Sequence, residues 1–286
     1  MVNKRAILLI SCLDQKGIVV AVTDFLHRNG GNVVDIDQHV DMDNKLFFMR
    51  VEWELNGFNI SEDKIGEYFE TLVGKRFDIS WELYFNHHKS RLAIFVSKYS
   101  HCLFDILSRK QSGEWDVEIP LIISNHENLR YIADKYEIKF VHLPITKANK
   151  SEQEIKQLEL LKEAKVDFVV LARYMQILTS TFVENYVNRI INIHHSSLPA
   201  FVGADPYRAA FERGVKFMGA TAHYVTTDLD QGPIIAQDIV SISHRDSISD
   251  MKRKGRDIEK IVLAKAIWSH ANHEVMVHGN KTVVFE

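Results

Sequence analysis

Short apolar runs and amphipathic stretches alternate along the first 85 residues. Arg5 to Cys12 is an apolar run of strand length, and Asp14-Gln15-Lys16-Gly17 turns the chain out of it. From Ile18 to Asn29 the apolar positions Ile18, Val22, Phe25 and Leu26 recur at helical spacing, and Gly30-Gly31 end the run. Asn32 to Asp41 predicts a second strand, and Asp43-Asn44 precede a third. In that third strand Phe47, Met49, Val51 and Trp53 alternate with Phe48, Arg50, Glu52 and Glu54, and Phe48 is the single departure from period two. Ser61-Glu62-Asp63 opens a helix with acid in its first turn, where it complements the helix dipole, and places Ile65, Tyr68, Phe69 and Leu72 on one face. Phe77 to Phe85 predicts a fourth strand. The resulting order, βαββαβ over residues 1–85, is that of a complete ferredoxin-like domain.

Asn86-His87-His88-Lys89-Ser90 is polar and breaks the rhythm, so residues 86–90 read as a linker, with His87 and His88 solvated rather than a metal pair. Beyond it, 91–286 reads as a second domain. Leu92–Ser97, Val117–Ser124, Phe140–Leu143, Phe168–Ala172 and Ile190–His194 are apolar strand candidates separated by helical stretches. The clearest helix is Lys150 to Ala164, with Ile155, Leu158 and Leu161 as its buried stripe. Gly219–Thr226 and Ile234–Ser241 read as later strands, and Ser247 to Asn272 as a long helix. Strands alternating with helices predict an α/β fold with a mostly parallel sheet covered on both faces.

Composition narrows the function classes. The 286 residues carry 38 acidic and 35 basic side chains, a net charge of −3, so no overall field draws the chain to nucleic acid or to an anionic membrane. At 46% hydrophobic and 26% charged, the chain has the make-up of a folded protein with a substantial core. Two cysteines, Cys12 and Cys102, make no disulfide framework and fit a reducing cytoplasm. The opening residues lack the pattern of a signal peptide, and no apolar run approaches the ~18–20 residues that span a bilayer.

Two segments carry candidate chemistry. Asn192-Ile193-His194-His195-Ser196-Ser197 lies at the carboxyl end of a predicted strand, where open α/β sheets hold their ligands. Strand alternation places Asn192 and His194 on one side and His195 on the other, so an amide and an imidazole face the same space and both reach one carbonyl oxygen. The second segment runs from Gly219 to Pro233, a strand followed by a loop with two carboxylates, Asp228 and Asp230. Either carboxylate would orient His194 and hold a water, and the residues alone do not separate them. No zinc-type spacing and no G-x-S-x-G elbow is present. His101 and Cys102 diverge on a helix, so Cys102 reads as a packed residue rather than half of a dyad.

At these segments the chain resembles the folate-dependent formyltransferase fold, and along its whole length the formyltetrahydrofolate deformylase family, whose members carry an N-terminal ACT domain. The resemblance runs through Asp14-Gln15-Lys16-Gly17-Ile18-Val19, Ser100-His101-Cys102-Leu103, Leu171-Ala172-Arg173-Tyr174-Met175-Gln176-Ile177-Leu178, Ile193-His194-His195-Ser196, Gly232-Pro233-Ile234-Ile235 and Gly255-Arg256-Asp257-Ile258-Glu259-Lys260. It implies an ACT domain over 1–85 and a Rossmann-like catalytic domain over 91–286. It implies Asn192, His194 and Asp230 as catalytic residues, the last because the family's aspartate lies seven residues after the histidine of the Thr-x-His motif, here His223. It further implies that main chain of Met175, Gln176, Ile177 and Leu178 and of Thr226, Thr227, Asp228 and Leu229 holds the pterin. Ser197 and Arg208 depart from the residues usual in the family.

The activity so implied is hydrolysis of 10-formyltetrahydrofolate to formate and tetrahydrofolate, balancing the one-carbon pool and supplying formate for purine synthesis. Asn192 and protonated His194 would stabilise the oxyanion, Asp230 would pair with His194 and position water, and the departing amine would take a proton from His194. No metal or cofactor is called for, since the folate is the substrate. The expected partners are that substrate, an amino-acid effector at the ACT domain and further copies of the chain as a homo-oligomer, with no nucleic acid and no membrane. One rival is formyl transfer to an amine such as glycinamide ribonucleotide. Against it, Ser97-Lys98-Tyr99-Ser100-His101-Cys102 lacks the glycine-rich phosphate loop such enzymes need, and His195 stands where they have proline. The other rival is a non-enzymatic ligand sensor, against which the intact Asn192, His194 and Asp230 set argues.

Overall fold

The computed structural model describes residues 3–199 and 206–285. The chain divides into two units. One comprises the chain up to Lys89 together with Asn272–His278 and the residues from Val283 on; the other comprises Ser90–Ala271 and Gly279–Thr282.

The first unit contains β1 (Arg5–Leu13), α1 (Ile18–Arg28), β2 (Asn32–Asp41), β3 (Leu46–Glu54), α2 (Glu62–Phe69), a π-helical stretch (Glu70–Gly74), α3 (Lys75–Phe77) and β4 (Ser80–Phe85). The strands form an antiparallel sheet in the order β2-β3-β1-β4, the βαββαβ arrangement expected from the pattern. Its core gathers Leu8, Ile10, Met49, Val51 and Trp53 from the sheet with Val22, Leu26, Ile65 and Phe69 from the helices. The second helix departs from the sequence expectation. Its buried stripe is Ile65, Phe69, Val73 and Phe77, whereas Tyr68 and Leu72 are 49% and 57% exposed. A strict four-residue repeat drifts by about 40° per step in an α-helix, and the wide π turn takes up that drift and rotates Tyr68 and Leu72 outward. Phe77 therefore ends the helix rather than opening β4.

Phe48, the exception to the alternation in β3, is buried, and the chain's distant end explains it. After a long helix of the second unit, β13 (Val275–His278) pairs with β14 (Lys281–Val284). Met276, Val283 and Phe285 pack with Leu9 and Phe48 on the sheet face opposite the helices. Arg50 lies on the same face as Phe48, donates to the main-chain carbonyl of His273 at 3.2 Å and pairs with Asp35 at 2.6 Å and Glu52 at 3.0 Å. The ring of His273 stacks on Tyr84, centroids 3.6 Å apart. Sequence reading placed 272–286 wholly with the second domain, whereas these apolar and hydrogen-bonded contacts tie most of that segment to the first unit. His87, read as solvated, is 24% exposed at its side chain and lies 3.2 Å from Glu62 Oε2.

The second unit contains β5 (Ser90–Val96), α4 (His101–Gln111), β6 (Val117–Glu118), β7 (Leu121–Ser124), α5 (Arg130–Lys135), β8 (Lys139–His142), α6 (Lys150–Glu163), β9 (Phe168–Leu171), α7 (Ser180–Asn185), β10 (Ile190–His194), α8 (Pro206–Arg213), β11 (Phe217–Tyr224), β12 (Ile234–Ser241) and α9 (Ile248–Ala271). The main sheet runs β12-β11-β10-β9-β5-β7-β8. The strands from β10 to β8 are parallel, and β11 and β12 run antiparallel at one edge. Strand order reverses beside β5, so the crevice over the carboxyl ends of β5, β9 and β10 is the place where such sheets bind ligands. In α6 the buried positions are Glu154, Gln157 and Leu161, and Ile155 is 57% exposed, contrary to the apolar stripe read from sequence. Two polar side chains face inward there because each has a partner in the loop after β9. Among the described residues, no helix is long and apolar enough to cross a membrane.

Candidate active site

The site is assembled at the ends of β9, β10 and β11. Asn192 and His194 project to one side of β10, as alternation requires. The β10–β11 register sets Asn192 opposite His223, and Asn192 Nδ2 lies 3.2 Å from His223 Nε2. His223 Nδ1 donates to the carbonyl of Tyr224 at 2.9 Å, which leaves Nε2 as the lone-pair nitrogen facing the Asn192 amide when the ring is neutral. The chain then loops back through Gly232, where a side chain would run into the Tyr224 carbonyl. The loop closes with Tyr224 N–H donating to the Pro233 carbonyl at 2.9 Å.

Asp230 sits in this loop in the left-handed conformation, φ 56°, which turns its carboxylate back over the strand ends. Its Oδ2 lies 3.2 Å from His194 Nδ1 and its Oδ1 lies 3.7 Å from His223 Nε2. Hydrogen bonding from His194, the largest cause, holds the Asp230 carboxyl far below the usual carboxylate range. With Nδ1 turned to Asp230, the other ring nitrogen of His194, Nε2, is buried and has no hydrogen-bond partner. Asp228 is placed differently. Its carbonyl accepts from Thr226 Oγ1 at 3.1 Å and from Gln231 N–H at 3.4 Å, inside the turn.

Asn192, His194 and Asp230 line a cavity of about 240 Å³ that also takes in Arg173, His195, His223 and Leu229. Met175, Gln176, Ile177, Leu178, Thr226 and Thr227 line it as well; of the expected pterin-holding positions only Asp228 is outside the lining. The loop carrying 175–178 is tied at both ends. Ser97 Oγ accepts from Met175 N–H at 2.9 Å and donates to Asn125 Oδ1 at 2.6 Å. The buried Glu154 carboxylate accepts from Thr179 N–H at 3.3 Å and from the Thr179 hydroxyl. Gln157 Nε2 donates to the Tyr174 hydroxyl at 3.1 Å. The inward polar stripe of α6 is thus what shapes this wall of the cavity.

His195 is placed otherwise than strand alternation requires. The strand ends at His194, the chain bends, and the His195 ring stacks on that of His194, centroids 5.3 Å apart at 29°. Burial first, and then the Arg173 charge, push its imidazole down to about 4. Behind it lies a buried set of polar groups. The Tyr207 ring stacks on His195 at 5.8 Å, and the Tyr207 hydroxyl donates to Glu259 Oε1 at 2.9 Å. His101 Nε2 meets Glu259 Oε2 at 2.7 Å, and Arg173 Nε lies 3.5 Å from the same oxygen. Burial alone would raise the Glu259 carboxyl, but His101, Arg173 and Tyr207 outweigh it and keep the group below its ordinary range. Cys102 is fully buried, and burial pushes its thiol well above the ordinary value, so it is no nucleophile. His101, Cys102 and Glu259 have the separations of a metal-ligand set. His101 and Glu259 are already engaged with each other, and Glu259 with Arg173 and Tyr207 as well, and the set excludes Asn192, His194 and Asp230.

Arg173, His223 and Glu259 were not singled out as site residues from sequence. His223 was visible only as the landmark from which Asp230 was counted, and Arg173 and Glu259 only as members of quoted motifs.

Residues 90–267 match the family model described as formyl transferase. A formyltetrahydrofolate deformylase of Synechocystis is 52% identical over 285 residues, 100% of each chain. The chain belongs to the formyltetrahydrofolate deformylase family. A deformylase of Bacillus subtilis is 48% identical over 97% of this chain and 93% of its own. The crystal structure of a deformylase from Pseudomonas syringae superposes with a TM-score of 0.97 at 43% identity, covering 99% of this chain and 95% of that one. Membership in the deformylase family thus extends over both units.

Proposed function

We propose that this chain hydrolyses 10-formyltetrahydrofolate to formate and tetrahydrofolate at the Asn192, His194 and Asp230 site. The observation that carries the reading is the convergence of these three side chains, from one strand end and a loop, on one cavity, with His194 Nδ1 3.2 Å from Asp230 Oδ2. His194 Nε2 and the Asn192 amide are the donors that polarise the formyl oxygen and stabilise the oxyanion as water adds. Asp230 pairs with His194, fixes its orientation and positions the water. The amine leaves with a proton from His194. Main chain of 175–178 and of 226–229 holds the pterin, with Asp228 acting only through the shape of its turn.

Transfer to a phosphorylated amine is disfavoured by what occupies the start of α4. Ser97 is engaged with Asn125 and Met175, His101 with Glu259, and Cys102 is buried. The deciding experiment incubates the protein with 10-formyltetrahydrofolate and measures formate with and without glycinamide ribonucleotide. Formate release at the same rate in both is expected, and faster capture of the formyl group by the amine would sink the reading.

The first unit we read as an ACT-type module, in a cytoplasmic homo-oligomer, that senses an amino acid. Support comes from Gly17, whose φ of 98° at the start of α1 brings backbone and helix N–H groups to one turn. It comes also from β2, an edge strand exposed from Asn32 to His39 and so open to pairing with another chain. Deleting 1–85 is a poor test, because Leu9 and Phe48 cover Phe285 and Met276. Screening amino acids on the full chain is the sounder one. A five- to 150-fold shift in substrate affinity is the ordinary range for coupled sites, and no shift in rate or unfolding midpoint with any amino acid would leave assembly as the unit's role.

A further inference from the structure

The deformylase reading leaves open which group takes the proton from water as it attacks. We propose that His195 is that base, a further catalytic residue carried by the same cavity, on the strength of that reading. The groups lining the cavity decide it by elimination. Arg173 has no lone pair to offer, and the Tyr174 hydroxyl is bonded to Gln157. Asp230 is held as a very weak base by His194 and His223. His194 turns Nδ1 to Asp230 and presents Nε2 as the oxyanion donor, and His223 spends Nδ1 on the Tyr224 carbonyl with Nε2 against Asn192. His195 alone among the described cavity-lining imidazoles has no hydrogen bond to a described residue at either nitrogen.

Its mount supports the role. The ring is held between His194 at 5.3 Å and Tyr207 at 5.8 Å, nearly parallel to both. Tyr207 is fixed by Glu259, and α9 carries glycine at 255, where a Cβ would come within 2.7 Å of Tyr207 Cε1. Burial and the Arg173 charge keep the imidazole unprotonated throughout the neutral range at the expense of its basicity, which still exceeds that of the Asp230 carboxylate. In the step, a water oxygen bonds to the formyl carbon, one water proton passes to His195, and the carbonyl pair moves onto oxygen. As that pair returns, the carbon–nitrogen bond breaks and its electrons stay on nitrogen, which takes the proton from His194. Formic acid then ionises to formate. The proton on His195 restores His194, so the enzyme ends as it began.

The test is His195→Ala in the full-length protein. General bases contribute ~10²–10⁴-fold, so kcat should fall by that factor with KM little changed. Added imidazole should restore it, and the restored rate should rise with the basicity of a series of substituted imidazoles, which a merely structural loss would not show. A kcat within fivefold of wild type, or a loss that imidazole does not restore, overturns the proposal. If the alanine variant does not fold, His195→Gln decides: glutamine keeps an acceptor oxygen but no basicity, so activity above a fifth of wild type overturns the proposal and a loss of at least 100-fold supports it. Undiminished formate release by Asn192→Ala would instead overturn the parent reading, independently of His195.

Discussion

Gly255→Ala puts the buried wall behind His195 to a quantitative test. On helix propensity alone the change is favourable, since glycine inside a helix costs ~1 kcal/mol relative to alanine. The tertiary surroundings reverse the sign. A methyl at 255 would stand 2.7 Å from Tyr207 Cε1 and 2.8 Å from Cζ, and closer still to the hydroxyl, well inside any real carbon contact. The Tyr207 ring must move, and the 2.9 Å bond from its hydroxyl to Glu259 goes with it. A hydrogen bond to a charged group contributes ~1.5–3 kcal/mol, and overpacking a filled interior costs ~1–3 kcal/mol. Set against the helix gain, the net destabilisation is about 1.5–5 kcal/mol. Urea unfolding of the full chain, followed by the signal of the second unit, reads this as a lower midpoint, by ~0.5–2.5 M at a slope near 2–3 kcal/mol/M. The same substitution made in a Tyr207→Ala background meets no ring and should stabilise by about the helix increment, ~1 kcal/mol. A Gly255→Ala protein as stable as wild type, or the same sign in both backgrounds, would refute the reasoning.

Other outcomes follow from the same geometry. Asn192→Ala should lose ~10²–10³ in turnover, the usual worth of one oxyanion donor, while the protein still folds, the lost contact to His223 costing ~1–3 kcal/mol of stability. Asp230→Asn should lose activity while Asp228→Asn keeps most of it, measured by formate release, because only Asp230 reaches His194. Glu154→Ala strands the Thr179 N–H and hydroxyl, costs ~1–3 kcal/mol, and should appear in kinetics as a raised KM, since the loop it ties carries 175–178. His273 is held down at about 4, by burial first and then by Arg50. Its folded pKa lies below its unfolded value near 6.5, so the unfolded chain binds the extra proton between those values, and the stability it contributes is full above 6.5 and lost as pH falls toward 4. Unfolding midpoints should therefore drop between pH 7 and 5, and His273→Phe, which keeps the stack on Tyr84, should flatten that drop.

Much of the fold was legible because it depends on local periodicity. The β1 to β4 strands and α1 lie within a few residues of the apolar runs that announced them, and the parallel sheet followed from strands alternating with helices. Misreadings arose where a distant partner changed what a position meant. Phe48 breaks the alternation of β3 because Met276 and Phe285, over 220 residues away, cover that face. In α6, Ile155 is the exposed position and Glu154 the buried one, because Thr179 satisfies the carboxylate. A polar residue with a partner is indistinguishable in sequence from one facing water.

The candidate site divides along the same line. Sequence by itself determined that an amide and an imidazole share one side of a strand end, since side chains alternate along any extended backbone. It determined also that a carboxylate-bearing loop follows the next strand. The resemblance to the deformylase family already implied Asp230, but the physical reason that this carboxylate and not Asp228 meets the imidazole lies in the tertiary structure. That choice depends on the left-handed turn at Asp230 and on the closure through Gly232, neither of which has a period to read. It alone decided that His195 shares the cavity, because the strand stops one residue earlier and alternation stops with it. The pairing of Glu259 with His101, Tyr207 and Arg173 joins α9, α4, α8 and the end of β9. Contacts of that reach are chosen by packing and by the cost of burying a charge without partners, and no local pattern records them.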